Sequence, residues 1–514
     1  MTAIFILLRA KVYFYCLFFS QKFQTNQSIS PVRQQLVKNL LFVLVVNVLV
    51  KAVWIFFIDR NVQIRVGYSS YGAFQALFNL GIIFQILLDF GLNQYNSKEV
   101  ASNPERLSVL FSSMLWTRLI LTGVYTIVVV ALAILLGYRS SEISLLAGVM
   151  GIQILNSTLF FLRGNVAALH HFRTDGVLAV IDRLLLIVVC GTLLLLPQYF
   201  GQFKIEWFVW SQIICYLIAS IIALIVLLKL APGEIEFSFK PKLIKDVLVK
   251  SSPFALLIFL MSVYMRADTV MIERLCGSEG KHQAGIYASA FRLLDVANIF
   301  GVMFSGILLP MFAKMLAGKE EIKSTIRLAV NIMMPLAFIA SIGALCFGNE
   351  IMQLLYHKDS GEKDGLILGL LMASFPAYCL MYIYSTLLTA NGNIKLLNKI
   401  SACIVVLNLL LHWIFITQFQ ALGASFSVLI TEWVVAGTVI IYAHKVFVLP
   451  HTIRWLLAHL GFVVSIALVA FLVLQTKLSW EIEIGMFLAI ALIQLFLFRF
   501  WSVRSIKELL QRKA

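Results

Sequence analysis

Apolar stretches of about 20 residues recur along this chain from near Leu40 to near Phe500, each long enough for an α-helix to cross the ~30 Å hydrocarbon core of a bilayer. That repetition leaves little room for any other kind of fold. Of the 514 residues 61% are hydrophobic and 13% charged, and the mean hydropathy is +0.93. A water-soluble domain has no interior large enough for so much apolar surface, so lipid must cover much of it. The runs are continuously apolar, whereas strands of a barrel would alternate over about 10 residues. The predicted fold class is an all-α polytopic membrane protein with about 14 transmembrane helices. They are expected near 38–58, 71–91, 111–137, 143–163, 177–197, 206–230, 250–273, 284–312, 327–348, 365–390, 399–417, 422–443, 455–475 and 482–500.

Basic residues orient these spans, because Lys and Arg are retained on the cytoplasmic side. With a cytoplasmic N-terminus the inner segments hold roughly three basic residues for each one outside. The densest inner clusters are Lys229/Lys240/Lys242/Lys245/Lys250, Lys314/Lys319/Lys323/Arg327 and Arg499/Arg504/Lys507/Arg512/Lys513. Both termini are therefore expected in the cytoplasm. The net charge of +16 follows from topology and attraction to anionic membrane lipids, and no basic-aromatic module points to nucleic acid. Ile4 to Phe19 is apolar but short, and Arg9 and Lys11 interrupt it. Residues 1–35 are expected to lie along the interface, or upstream of the natural start, rather than to form a fifteenth span.

The seven cysteines are scattered, without CxxC or metal-ligand spacing, and read as small apolar residues. The eight histidines suggest neither a zinc site nor a catalytic triad. No P-loop is present, and the longest outer connection, about 349–364, is too short for a catalytic domain. The expectation is a protein that is not an enzyme and needs no metal or cofactor.

The largest inner loop contains Pro232, Gly233 and Pro241 and falls between the sixth and seventh spans. Spans one to two and seven to eight are spaced alike, at about 33 residues. Tyr71-Gly72-Ala73-Phe74 can be laid beside Tyr287-Ala288-Ser289-Ala290, and Ile83-Phe84 beside Ile299-Phe300. Two six-helix halves in the same orientation would be related by an axis along the membrane normal, with a shared cavity between them. The expected division is an extension at 1–35, an N-lobe at 36–230, a cytoplasmic linker at 231–249, a C-lobe at 250–443, and two further helices with a basic tail at 444–514.

Three stretches then resemble a known family. The first runs from Tyr71-Gly72-Ala73-Phe74 to Asp89-Phe90-Gly91-Leu92-Asn93, with Ser97-Lys98-Glu99 following. The second runs from Ser252-Pro253-Phe254 through Arg266-Ala267-Asp268 and Ala284-Gly285-Ile286-Tyr287 to Leu309-Pro310. The third runs from Thr389-Ala390-Asn391-Gly392-Asn393 through Asn408 to Leu422-Gly423-Ala424-Ser425. Over about 35–500 the chain resembles the polysaccharide transporters (Wzx-type flippases) of the multidrug/oligosaccharidyl-lipid/polysaccharide exporter superfamily. The resemblance implies two six-helix lobes around a central cavity and two extra C-terminal helices. It also implies a bacterial cytoplasmic (inner) membrane protein that moves undecaprenyl-pyrophosphate-linked oligosaccharides for O-antigen or capsule synthesis, beside polysaccharide polymerase and assembly proteins.

An ionisable residue within a span costs about 2.5–3.5 kcal/mol on insertion scales and is a functional candidate by default. Candidates here are Lys51, Arg118, Asp182, Arg183, Arg266, Asp268, Arg292, Asp295 and Glu432. Arg292, Asp295 and Asn298 recur every three residues and share a helical stripe; Asn47 and Lys51, four apart, share another. In proteins this chain resembles, helices one, seven and eight line the cavity. Substrate-binding candidates are therefore Arg266, Arg292, Lys51, Asn47, Asp295 and Asn298, the cations holding a pyrophosphate. Asp268 is a gating or structural ion partner. The plainer readings stand beside these. Arg118 and Arg183 lie near inner ends and can snorkel to headgroups, with Asp182 a loop-end partner. Lys51 can snorkel outward, and Arg292 with Asp295 can be a purely structural pair. The alternatives to an oligosaccharide flippase are a multidrug–cation antiporter or a peptidoglycan-precursor flippase. Against the antiporter, the first span carries Lys51, and its one acid, Asp59, is at its outer end.

Overall fold

In a computed structural model, the structure describes residues 50–500 apart from 51, 94–95, 97–98, 101–102, 170, 197, 199–200, 232, 234–240, 357–360, 448–452 and 499. Every regular element among the described residues is helical. A π-helical turn, Trp54–Asp59, leads into α1 (Arg60–Ile83) and α2 (Ile86–Asp89). These are followed by α3 (Arg106–Leu135), α4 (Ser140–Ala168), α5 (Phe172–Leu195), α6 (Ile205–Leu230) and α7 (Pro241–Leu275). Then come α8 (Gly280–Ala317), α9 (Lys323–Tyr356), α10 (Glu362–Ala373), α11 (Phe375–Ala390), α12 (Ile394–Val446), α13 (Ile453–Leu474) and α14 (Trp480–Leu497). Ten helical stretches among the described residues are long and apolar enough to cross a membrane. Their outward faces carry bare aliphatic side chains, such as Leu135 and Leu195 at 80% exposure, which only lipid can cover.

Local chemistry explains where helices and expected spans differ. The connection expected at 59–70 is helical except at Gly67, whose φ of 75° breaks α1 into two pieces. The span expected at 365–390 is two helices meeting at Ser374. Pro376 has no N–H to offer the Met372 carbonyl, and the Ser341 hydroxyl of α9 donates to that carbonyl instead, at 2.5 Å. The spans expected at 399–417 and 422–443 join in α12, 53 residues long, or about 80 Å if straight. It is not straight: Gln420, at φ 56° and ψ −132°, reverses the chain. Asn408 Nδ2 reaches Thr431 Oγ1 at 3.4 Å across the resulting hairpin, and Phe426 packs on Phe415 and Phe419.

The chain divides into two compact units, one ending at Gly285 and the other beginning at Ile286. In the first, α4 packs on α6 and α1 on α7, around Trp54, Phe74 and Phe208. In the second, α9 packs on α10 and α11 on α12. There α13 and α14 dock on α9 through Phe462 and Phe487 against Ile339 and Phe347. The two tyrosines aligned by the internal echo, Tyr71 and Tyr287, are both fully buried, one in each unit.

Candidate functional site

Charges inside the first unit are held by named partners. Arg118 lies midway along α3, where lipid would surround it if it faced outward. It is buried instead, with Nη1 3.3 Å from Asp89 Oδ1, Nη2 donating to Ser157 Oγ at 2.5 Å, and the guanidinium 4.9 Å from the Phe161 ring centre. Arg183 of α5 is buried too. Its guanidinium lies 5.3 Å from the Trp54 ring and 5.8 Å from Tyr216, with Asp182 at 3.5 Å. Both side chains are buried among protein groups, which is not the placement that snorkelling out to headgroups predicts. The acid that meets Arg118 comes from another helix, whereas that of Arg183 is its neighbour on α5. Asp59 is likewise buried, and both its carboxylate oxygens lie 2.9 Å from the Tyr71 hydroxyl that donates to it.

Arg266 and Asp268 are both buried on α7, at 3% and 6% exposure. Asp268 Oδ1 accepts from the Thr269 backbone N–H at 2.8 Å. These two residues belong to the first unit; Arg292, Asp295 and Asn298 belong to the second, on α8. The helix brings Arg292 Nη1 to 3.9 Å from Asp295 Oδ2, the outer limit of an ion pair. Asn298 follows one turn on and is buried. Asn47 and Lys51 lie outside the described residues. Glu432 and His412 are buried in the α12 hairpin, where His412 Nδ1 is 2.8 Å from the Asn408 carbonyl.

Sequence reading missed two further groups. Asp89 stands 29 residues from Arg118, a separation at which no helical periodicity signals a pair. The second group joins helix ends. Tyr138, in the α3–α4 turn, donates to Glu273 Oε2 at 2.9 Å, and the Arg274 guanidinium lies over its ring at 3.4 Å. Burial, with the neighbouring Glu273 charge, pushes the Tyr138 phenol up, so it stays a donor at any physiological pH. Lys281 pairs with Glu142 at 2.6 Å.

Comparison with known proteins agrees with this architecture. A family described as polysaccharide biosynthesis protein matches residues 36–316. Capsular polysaccharide biosynthesis protein CapF of Staphylococcus aureus is 22% identical over 210 residues, 40% of this chain. The match spans about half (51%) of that curated relative's length. Lipid II flippase MurJ in an inward closed conformation superposes with a TM-score of 0.64 at 15% identity, over 90% of this chain and 97% of that one. An inward-facing multidrug resistance MATE family transporter of the MOP superfamily gives 0.57 at 15% identity, over 75% and 93%. A MOP superfamily transporter from Pyrococcus furiosus gives 0.52 at 16% identity, over 82% and 98%. At such identities the solved structures establish the fold, that of a multi-pass membrane transporter, and the sequence match extends over more than half of the chain. With helices, buried intramembrane charges and sequence in agreement, the chain belongs to the polysaccharide biosynthesis protein family.

Proposed function

We propose that this protein is a flippase for undecaprenyl-pyrophosphate-linked oligosaccharide repeat units. It would move them across the bacterial cytoplasmic membrane by alternating access between an N-lobe (36–230) and a C-lobe (250–443), for O-antigen or capsule synthesis. The observation that carries the reading is Arg266: a guanidinium 3% exposed inside a span, in a chain of the polysaccharide biosynthesis family. A cargo pyrophosphate must be shielded from hydrocarbon, and a guanidinium offers a fork of donors matched to its oxygens. Arg266 and Arg292, with Lys51 and Asn47, hold the pyrophosphate. Asp295 and Asn298 are polar partners of these cations in the substrate site, and Asp268 is a gating or structural ion partner. The prenyl tail remains in lipid. Both termini face the cytoplasm beside anionic lipids, and polymerase and assembly proteins receive the product.

The test is purified protein in liposomes, following inner-to-outer movement of an undecaprenyl-pyrophosphate oligosaccharide. Arg266→Ala and Arg292→Ala, at equal folded abundance, should each slow movement at least tenfold, the loss expected for one charge-assisted contact. Unchanged rates in both would remove these residues from the site. A second reading, a multidrug–cation antiporter, draws on Asp59, a carboxylate buried near the end of the first span. Cation-driven dye efflux without lipid movement would select it.

A further inference from the structure

The turns that join α3 to α4 and α7 to α8 meet at one membrane face, the one opposite the basic loops. Four spans separate them along the chain, so connectivity places them on the same side. Their contacts are dense and specific. Tyr138 bonds to Glu273, which is itself buried and gripped by Arg274. Arg274 then reaches over the Tyr138 ring to donate to the Leu136 carbonyl at 3.1 Å. A second tie, Lys281 to Glu142, lies beside it.

Helix α1 is fastened to the same turn. Gln63 Nε2 donates to the Gly285 carbonyl at 3.1 Å, and the Tyr68 ring stands edge-on to His282 with centres 5.6 Å apart. The backbones touch: a Cβ on Gly72 would collide with the Lys281 carbonyl, and one on Gly285 with the Tyr68 carbonyl. Charges balance in this cluster, with Glu273 and Glu142 against Arg274 and Lys281. The ties named here are hydrogen bonds, ion pairs, a ring contact and glycine crossings.

We propose that these ties form the latch that shuts the outer face of the transport path, and that the structure holds it closed. This rests on the alternating-access reading above. In that reading Gln63, Tyr68, Tyr138 and Glu142 move with the N-lobe, whereas Glu273, Arg274, Lys281 and His282 move with the C-lobe.

The test uses full-length protein with its seven cysteines replaced. Gln75→Cys, one turn beyond Tyr71 and buried beneath the latch, reports opening through labelling by a membrane-impermeant thiol reagent from outside. Glu273→Gln should raise the labelling rate about tenfold or more, the ratio that a lost charge-assisted bond produces. Lys281→Met, in a more exposed position, should raise it several-fold if Glu273→Gln fails to fold. A disulfide between Tyr68→Cys and His282→Cys should abolish both labelling and lipid movement, and reductant should restore both. Labelling and movement indifferent to the disulfide and to both substitutions would reduce the latch to static packing. Labelling that responds while wild type moves no pyrophosphate lipid would keep the latch and overturn the cargo.

Discussion

Replacing Asp89 by Ala leaves the Arg118 guanidinium buried without its counter-charge, in the middle of a span. Breaking a buried ion pair from one side costs about 3–5 kcal/mol, because the surviving charge has already lost its water. The two single substitutions should not cost the same. Arg118 would keep the Ser157 hydroxyl at 2.5 Å and the face of Phe161, so Asp89→Ala falls near the lower end, about 3 kcal/mol. Arg118→Met leaves Asp89 with the backbone amides of Asn93, 3.3 Å away, and Gly91, and falls near the upper end, about 5 kcal/mol. The double variant removes both charges and should return to within about 1 kcal/mol of wild type, since Ala and Met are at home against apolar helices. Folded fraction in mixed detergent micelles, titrated with dodecyl sulfate and read by tryptophan fluorescence, completes the cycle. Additive costs in the double variant, or single losses below about 1 kcal/mol, would refute the pairing as the reason both charges are tolerated.

Three further outcomes follow from the packing. Gly423→Ala places a Cβ against the Phe415 carbonyl inside the α12 hairpin, and should cost about 1–3 kcal/mol by the same denaturation assay. Ser341→Ala uncaps the Met372 carbonyl left over by Pro376, at a cost of about 1 kcal/mol, and pairing it with Pro376→Ala should recover most of that loss. Phe487→Ala opens a cavity between α14 and α9 beside Phe347. In lipid the solvent-transfer part of the usual loss is absent, so about 1–3 kcal/mol is expected rather than the value for a soluble core, with proteolysis between α12 and α13 increased.

The class, a multi-pass helical membrane protein, was legible because length and hydropathy are local properties, and the bilayer sets the required length. Joints between spans were less so. The break at Ser374 depends on a proline whose orphaned carbonyl is met by a serine on another helix, and the reversal at Gln420 depends on one residue's dihedral angles; neither alters the apolar profile. The stripe of Arg292, Asp295 and Asn298 could be read from its period of three. The partner of Arg118 could not, since Asp89 reaches it only after two helices have packed. Arg118 and Arg183 differ from the snorkelling placement for the same reason: distance to a helix end was visible in the chain, whereas the acceptors and rings beside them were not. The ties among Tyr138, Glu273 and Arg274 join the α3–α4 turn to the last turn of α7, 135 residues away, a separation at which no periodicity signals a pair.

The reversal at Gln420 also bears on how the protein is made. Asn408 and His412 on one arm, and Thr431 and Glu432 on the other, would each penalise a helix entering lipid alone. A turn this tight leaves no loop long enough for the arms to partition separately. Arms that enter the membrane as a pair would have Asn408 and Thr431 facing each other, as they do in the folded hairpin. Paired entry would shield the polar residues of α12 from hydrocarbon by the neighbour that follows them in the chain. A spacer of flexible residues at Gln420 should leave both spans hydrophobic enough on paper, yet lower the yield of inserted protein.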